Sequence, residues 1–194
     1  SQSPVLGQFP NLTVFDIADT SLTSDDLQII AEFSNLERLT MDASRLTETV
    51  TRTVADLSKL RALKLRNLPS DFESGQLAKF SLLTELYVNA DDHEVFDDEF
   101  WLAIAGLQEL HILMCKGVTD ESLAKAQAAP QVEVLIVMSR VVTGEAFVKS
   151  MSNFPNVKSL TVNYTDWTDD DVQQLHGLKS LGKLDLTKNS ASVE

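Results

Sequence analysis

An α/β solenoid of about eight repeats is the fold that this 194-residue sequence predicts, and three observations predict it. An apolar-x-x-apolar-x-apolar triplet recurs eight times, at Leu12-Phe15-Ile17, Leu36-Leu39-Met41, Leu60-Leu63-Leu65, Leu83-Leu86-Val88, Leu110-Leu113-Cys115, Val132-Leu135-Val137, Val157-Leu160-Val162 and Leu181-Leu184-Leu186. First members of successive triplets lie 24, 24, 23, 27, 22, 25 and 24 residues apart, a period in the range of repeat architectures. Three residues before each triplet stands a further apolar residue, so units begin near 9, 33, 57, 80, 107, 129, 154 and 178 and the chain reads as one domain over 1–194.

Each element follows from its part of the unit. The closing apolar position (Phe9, Phe33, Leu57, Phe80, Leu107, Ala129, Phe154, Leu178) ends one unit and enters the next. Inside the triplet the second and third members stand two residues apart, a period of two that predicts a short strand with one face buried. Five units continue with an apolar residue and a threonine: Leu22-Thr23, Leu46-Thr47, Val118-Thr119, Val142-Thr143 and Trp167-Thr168. A threonine hydroxyl accepts from an exposed amide of the next turn, and the acids of Thr23-Ser24-Asp25-Asp26 and Thr168-Asp169-Asp170-Asp171 favour the positive end of a helix. Each unit is therefore expected to run strand, turn and a helix of about two or three turns packed back on the strand layer.

The triplets resemble the leucine-rich-repeat consensus, and the stretch from Leu110 to Leu123, Leu-His-Ile-Leu-Met-Cys-Lys-Gly-Val-Thr-Asp-Glu-Ser-Leu, resembles its cysteine-containing and GALA-like classes. The resemblance covers about residues 9 to 189. It implies a right-handed horseshoe with a parallel sheet on the concave face and short helices on the convex face. It implies much less about activity. The Asn or Cys that usually follows the strand is replaced by Thr20, Ser44, Leu68, Asp91, Val118, Arg140 and Thr165, with only Asn189 fitting, so a continuous asparagine ladder is absent. Cys115 falls on an inward strand position and is expected to pack as a small buried hydrophobe.

Composition narrows the partners. Lys and Arg total 16 against 29 Asp and Glu, a formal charge of −13, which disfavours general nucleic-acid and anionic-membrane binding. No apolar stretch approaches the ~18 to 20 residues that cross a bilayer. The N-terminal SQSPVLGQ lacks the regions of a signal peptide, and the compartment stays open between cytoplasm and export. One cysteine excludes an internal disulfide and any multi-cysteine zinc site. Neither end shows an obvious polar capping segment, so the chain is expected to be part of a longer protein or to pair with another copy through its ends.

Eight strands about 4.8 Å apart give a face roughly 35 Å long, enough for a folded partner or an extended peptide. In this repeat class the residues between and after the inward ones face the concave side. One row is Val14, Arg38, Ala62, Glu85, Ile112, Val134, Ser159 and Lys183; the next is Asp16, Thr40, Lys64, Tyr87, Met114, Ile136, Thr161 and Asp185; the third is Ala18, Asp42, Arg66, Asn89, Lys116, Met138, Asn163 and Thr187. A fourth, one residue on, is Asp19, Ala43, Asn67, Ala90, Gly117, Ser139, Tyr164 and Lys188. Most members are polar, but Tyr87, Ile112, Met114, Val134, Ile136 and Met138 form an apolar patch on adjacent strands, and Arg38, Lys64 and Arg66 adjoin it. These nine are the candidate partner-binding residues, for a protein or peptide with apolar anchors and some acidic groups. Charge is divided: Arg38, Lys64, Arg66, Lys116, Lys183 and Lys188 nearly balance Asp16, Asp19, Asp42, Glu85 and Asp185 on this face, so the acidity belongs to turns and helices.

No residue set predicts catalysis or a cofactor. His93, His111 and His176 stand in different units without ligand spacing, and no nucleophile elbow or glycine-rich phosphate loop occurs. The longest unit carries Asp91-Asp92-His93-Glu94-Val95-Phe96-Asp97-Asp98-Glu99-Phe100-Trp101, expected to be a polar turn and an acidic helix start with Phe96, Phe100 and Trp101 in or near the core. It lacks EF-hand spacing, although a metal-dependent enzyme using residues 91–99 is one alternative function. The sequons Asn11-Leu-Thr13 and Asn163-Tyr-Thr165 matter only in a secreted eukaryotic protein. A non-catalytic interaction scaffold is the first reading. The substrate-reading half of an F-box ubiquitin-ligase adaptor is another, since F-box segments often accompany the resembled classes, though none is visible here.

Overall fold

Eight strands pair in chain order into one parallel sheet in the computed structural model, which describes residues 9–20, 22–23, 26–90 and 96–187. They are β1 (Val14–Asp16), β2 (Arg38–Asp42), β3 (Ala62–Leu68), β4 (Glu85–Ala90), β5 (Ile112–Lys116), β6 (Val134–Met138), β7 (Ser159–Asn163) and β8 (Lys183–Asp185). Register aligns the triplets, with one shift between β3 and β4 after Leu65: Leu39, Leu63, Leu86, Leu113, Leu135 and Leu160 form one continuous inward row. Those leucines are buried, whereas the residues between them in β4 to β7 are partly open, the alternation that a half-buried strand requires. A parallel crossover needs a connection long enough to return the chain, and here each return carries the helical layer.

Apolar side chains from the strands and returns meet in a core that runs the length of the stack. The closing residues Phe33, Leu57, Phe80, Leu107, Ala129 and Phe154 are buried in it, Leu178 is packed against it, and Phe9 in the first unit is 50% exposed. Phe96, Phe100 and Trp101 are buried as expected, with Trp101 edge-on to Phe100 at 5.1 Å and to Phe154 at 6.1 Å. Cys115 points inward from β5, and burial pushes its thiol well above the ordinary range. The thiolate needed for reactivity is thereby suppressed.

The described residues form five α-helices: α1 (Glu48–Ala55), α2 (Asp98–Gly106), α3 (Asp120–Ala124), α4 (Gly144–Ser150) and α5 (Asp169–Gln173). Thr47, Thr119, Thr143 and Thr168 sit at the N-caps of α1, α3, α4 and α5, each accepting from the amide three residues on. Thr119 and Thr168 complete reciprocal capping boxes with Ser122 and Asp171. Asp97 caps α2, accepting from Phe100 N at 2.7 Å. Thr23 makes the same contact with Asp26 N, but the segment after it, Asp26–Glu32, is a 3₁₀ helix.

The units alternate in a way the single-repeat period does not show. The second, fourth and sixth carry the longer helices α1, α2 and α4, whereas the first and third carry 3₁₀ segments at Asp26–Glu32 and Ser74–Lys79 and the fifth and seventh the five-residue α3 and α5. Strand exits alternate with them. Asp19, Asn67, Gly117 and Tyr164, in the odd units, have φ of 59°, 52°, 101° and 67°. Ala43, Ala90 and Ser139, the equivalents in even units, are buried at 2%, 2% and 5% exposure. The fourth row therefore does not lie wholly on the concave face: a left-handed residue turns outward and sends the next one (Leu68, Val118, Thr165) into the core, while even units do the reverse and leave Ser44 and Arg140 outside. Strands stack about 4.8 Å apart but α-helices are about 10 Å wide, so alternating a full helix with a tighter or shorter element fits the outer layer to the inner one. The uniform two- to three-turn helix expected from sequence gives way for that reason.

Candidate functional site

Strand register brings the sequence-predicted patch together. Tyr87, Met114 and Ile136 are direct neighbours across β4, β5 and β6; Ile112 and Val134 form the adjacent row, and Met138 pairs with Lys116. All six side chains are partly exposed. Lys64 lies beside Tyr87 in register, and Arg66 lies beside Asp42.

The basic residues divide by partner. Arg38 donates from both terminal nitrogens to the two carboxylate oxygens of Glu85, at 2.8 and 2.9 Å, and Tyr87 Oη donates to Glu85 Oε2 at 3.1 Å. The Glu85 carboxylate holds the Arg38 guanidinium above its ordinary range. Burial, then the Glu85 charge and hydrogen bond, raises the Tyr87 phenol above its ordinary range. Arg66 pairs with Asp19 at 2.7 Å, and Asp42 accepts from Asp19 N and Asn67 Nδ2, both at 3.0 Å, so one buried carboxylate ties two left-handed exits together.

A groove of about 740 Å³ opens beside the patch, where the C-terminal ends of β3 to β7 leave the sheet. Lys64, Arg66, Met114 and Met138 reach it from the predicted set, and Asn89, Lys116, Arg140, Val141 and Tyr164 join them. Among the described residues no carboxylate lines it. Val141 is 53% and Tyr164 37% exposed, and Asn89 Oδ1 is buried without a donor. Lys116 stands on the concave map outside the nine candidates, and Arg140 stands where Asn or Cys usually follows the strand in the resembled repeats. The even-unit exit puts Arg140 outside, and the pattern of small residues at Ala43, Ala90 and Ser139 was the available signal.

The acidic loop contributes differently. Asp91, Asp92, His93 and Glu94 lie outside the described residues, while Asp97 is engaged as the α2 cap. Among the described residues no three His, Cys, Asp or Glu side chains converge as a metal site, and no helix is long and apolar enough to cross a membrane.

Comparison with solved structures bears on the fold. The chain is similar to an internalin (inlF) of Listeria monocytogenes, with a TM-score of 0.60 at 16% sequence identity, over 100% of this chain and 53% of that one. The fold is that of the leucine-rich-repeat proteins. A second internalin of that organism (inlC2) matches over 91% of this solenoid and 81% of its own chain, with TM-score 0.47 and 16% identity. A leucine-rich-repeat protein of Leptospira interrogans matches over 100% and 59%, with TM-score 0.36 and 15% identity. The solenoid thus spans about half the length of the first internalin. No protein-family model and no curated protein matches the sequence.

Proposed function

We propose that this leucine-rich-repeat solenoid is a non-catalytic scaffold that holds a protein or peptide partner on its concave face. The observation that carries the reading is the row Tyr87, Met114 and Ile136, three large, partly exposed side chains on three adjacent strands with Ile112 and Val134 alongside. A sheet face serving only solubility presents polar residues there, as Thr40, Thr161 and Asp185 do in the same row. Methionine adapts to different partner shapes, and tyrosine supplies a rigid amphipathic contact. The nine residues Arg38, Lys64, Arg66, Tyr87, Ile112, Met114, Val134, Ile136 and Met138 form the contact surface, with Arg38 and Glu85 holding Tyr87 in place.

Partner capture by the wild-type protein and by the variant Lys64→Glu, Arg66→Glu, Met114→Asp tests this. Each substituted side chain is at least partly open to solvent, so the sheet survives and circular dichroism verifies it. Capture is expected to be lost. Unchanged capture by the folded variant removes the concave face from consideration.

A further inference from the structure

The groove at the C-terminal edge of the sheet has a charge unlike that of the molecule around it. Lys64 and Arg66 reach it from β3, Lys116 from the end of β5 and Arg140 from just beyond β6. Asp19 neutralises Arg66, but Lys64, Lys116 and Arg140 have no hydrogen-bond or ion-pair partner among the described residues. In a chain of formal charge −13, three cations without a described partner border one concavity, and among the described residues no carboxylate lines it. Low-dielectric walls concentrate the field of such a cluster.

We propose that this groove receives an extended acidic segment of a protein partner, in which two carboxylates three or four residues apart flank an apolar side chain. The inference rests on the concave-face reading and names the chemistry of the partner. Spacing comes from the sheet: β3 and β5 are two strand intervals apart, about 10 Å, and β3 and the end of β6 three intervals, about 14 Å. A segment crossing the strands at about 3.3 Å per residue covers those distances in three or four residues. Between the cations lie Met114 and Met138, and Val141 forms an apolar rim, which gives the intervening side chain a place to pack. Arg140 offers a fork for both oxygens of one carboxylate, while Lys64 and Lys116 act as point charges. The apolar floor and the negative charge of the remaining surface favour a peptide over a nucleic acid, whose phosphates would continue past the groove into repulsion.

Fluorescein-labelled octapeptides test the assignment by anisotropy: Gly-Gly-Asp-Gly-Leu-Gly-Asp-Gly, its Lys-for-Asp and Asn-for-Asp counterparts, and its Gly-for-Leu counterpart. The Asp peptide is expected to bind saturably and each counterpart more weakly. Lys116→Glu, an exposed position outside the core, is expected to weaken the Asp peptide about tenfold, and raising salt from about 0.05 to 0.5 M to weaken it further. Equal binding of the Lys peptide, or no response to Lys116→Glu, overturns the proposal. So does tighter binding of a single-stranded oligonucleotide, or a sedimenting dimer that Lys116→Glu dissolves, which assigns the groove to a second copy. If the Asn peptide binds as well as the Asp peptide and is lost in Met114→Asp, the acidic chemistry fails and the concave-face reading stands. If no peptide binds and the triple variant above captures the partner unchanged, both fail.

Discussion

Arg38 on β2 and Glu85 on β4 are joined by a two-pronged ion pair that passes over Ala62 of β3, the strand between them. A larger residue at position 62 would stand in the way, and the small one allows two strands that are not neighbours to be linked directly. Glu85 then receives the Tyr87 hydroxyl at 3.1 Å, so the orientation of an aromatic ring in the candidate site depends on an arginine two strands away.

This arrangement predicts how Tyr87 titrates. In a Tyr164→Phe background, which leaves Tyr87 as the only tyrosine, the phenolate absorbance is expected to appear at a pH above the ordinary 10.0. Glu85→Gln removes a negative charge and a hydrogen-bond acceptor and shifts the midpoint down; Arg38→Gln removes a favourable charge and shifts it up. The folded state keeps the proton more tightly than the unfolded state, so this contribution to stability is complete below pH 10 and is lost as pH rises through the folded value. A midpoint insensitive to Glu85→Gln would show that burial alone sets it.

Two glycine substitutions are expected to have opposite signs. At Gly117, with φ 101°, a Cβ would lie 2.2 Å from Ala90 O, a backbone atom with little room to move. Gly117→Ala should cost about 2 kcal/mol or more in urea denaturation. Gly106 ends α2 with nothing within 4 Å of a built Cβ, and Gly106→Ala should stabilise by about 0.5 to 1 kcal/mol.

Loss of a capping threonine should be measurable where loss of an open-face threonine is not. Thr119→Ala and Thr168→Ala each remove one half of a reciprocal box and should cost about 1 kcal/mol. Asp120→Ala breaks two hydrogen bonds, both 2.8 Å, to the amide and hydroxyl of Thr143 in the following unit, and should loosen α3 from α4 in hydrogen exchange. Thr40→Ala, on the concave sheet face, should stay within about 0.5 kcal/mol of wild type.

Acid is expected to weaken the fold through particular carboxylates. Hydrogen bonds from Thr23 lower Asp26, the hydrogen bond from Lys158 lowers Glu133, and the backbone amide of Thr187 lowers Asp185. Depressed folded values mean stability present above the ordinary 4.5 of Glu133 and 3.8 of the aspartates and lost as pH falls through the folded values. Thermal melts should therefore drop progressively below about pH 4.5. Glu133→Gln should flatten the first part of that decline, and an unchanged profile would assign the acid sensitivity elsewhere.

The eight strands were legible in sequence because parallel neighbours on both sides force Leu39, Leu63, Leu86, Leu113, Leu135 and Leu160 into one row, and only inward apolar residues tolerate that position. The threonine caps were legible because a cap is a local event within four residues. The strand exits were not. Left-handed backbone announces itself when the residue is glycine, as at Gly117, but Asp19 and Asn67 are held there by Asp42 of the unit between them, and Tyr164 adopts it with a bulky side chain that gives no such signal. That hidden alternation decides whether the next side chain goes in or out, so the outward position of Arg140 is not legible from its own repeat. The Arg38 to Glu85 pair had a faint signature, an alanine between opposite charges in one row, but its basic member read from sequence as free for a partner.

The alternating strand exits mean that the element this solenoid copies is a pair of units rather than one. Removing an odd unit would set two inward-turning exits side by side, with both following residues thrown to the surface and two wide helices competing for one space behind; removing an even unit would set two left-handed exits and two short elements together. Removing two restores every neighbour to its own kind. The pair of units is the smallest step that keeps both the exits and the helix spacing intact.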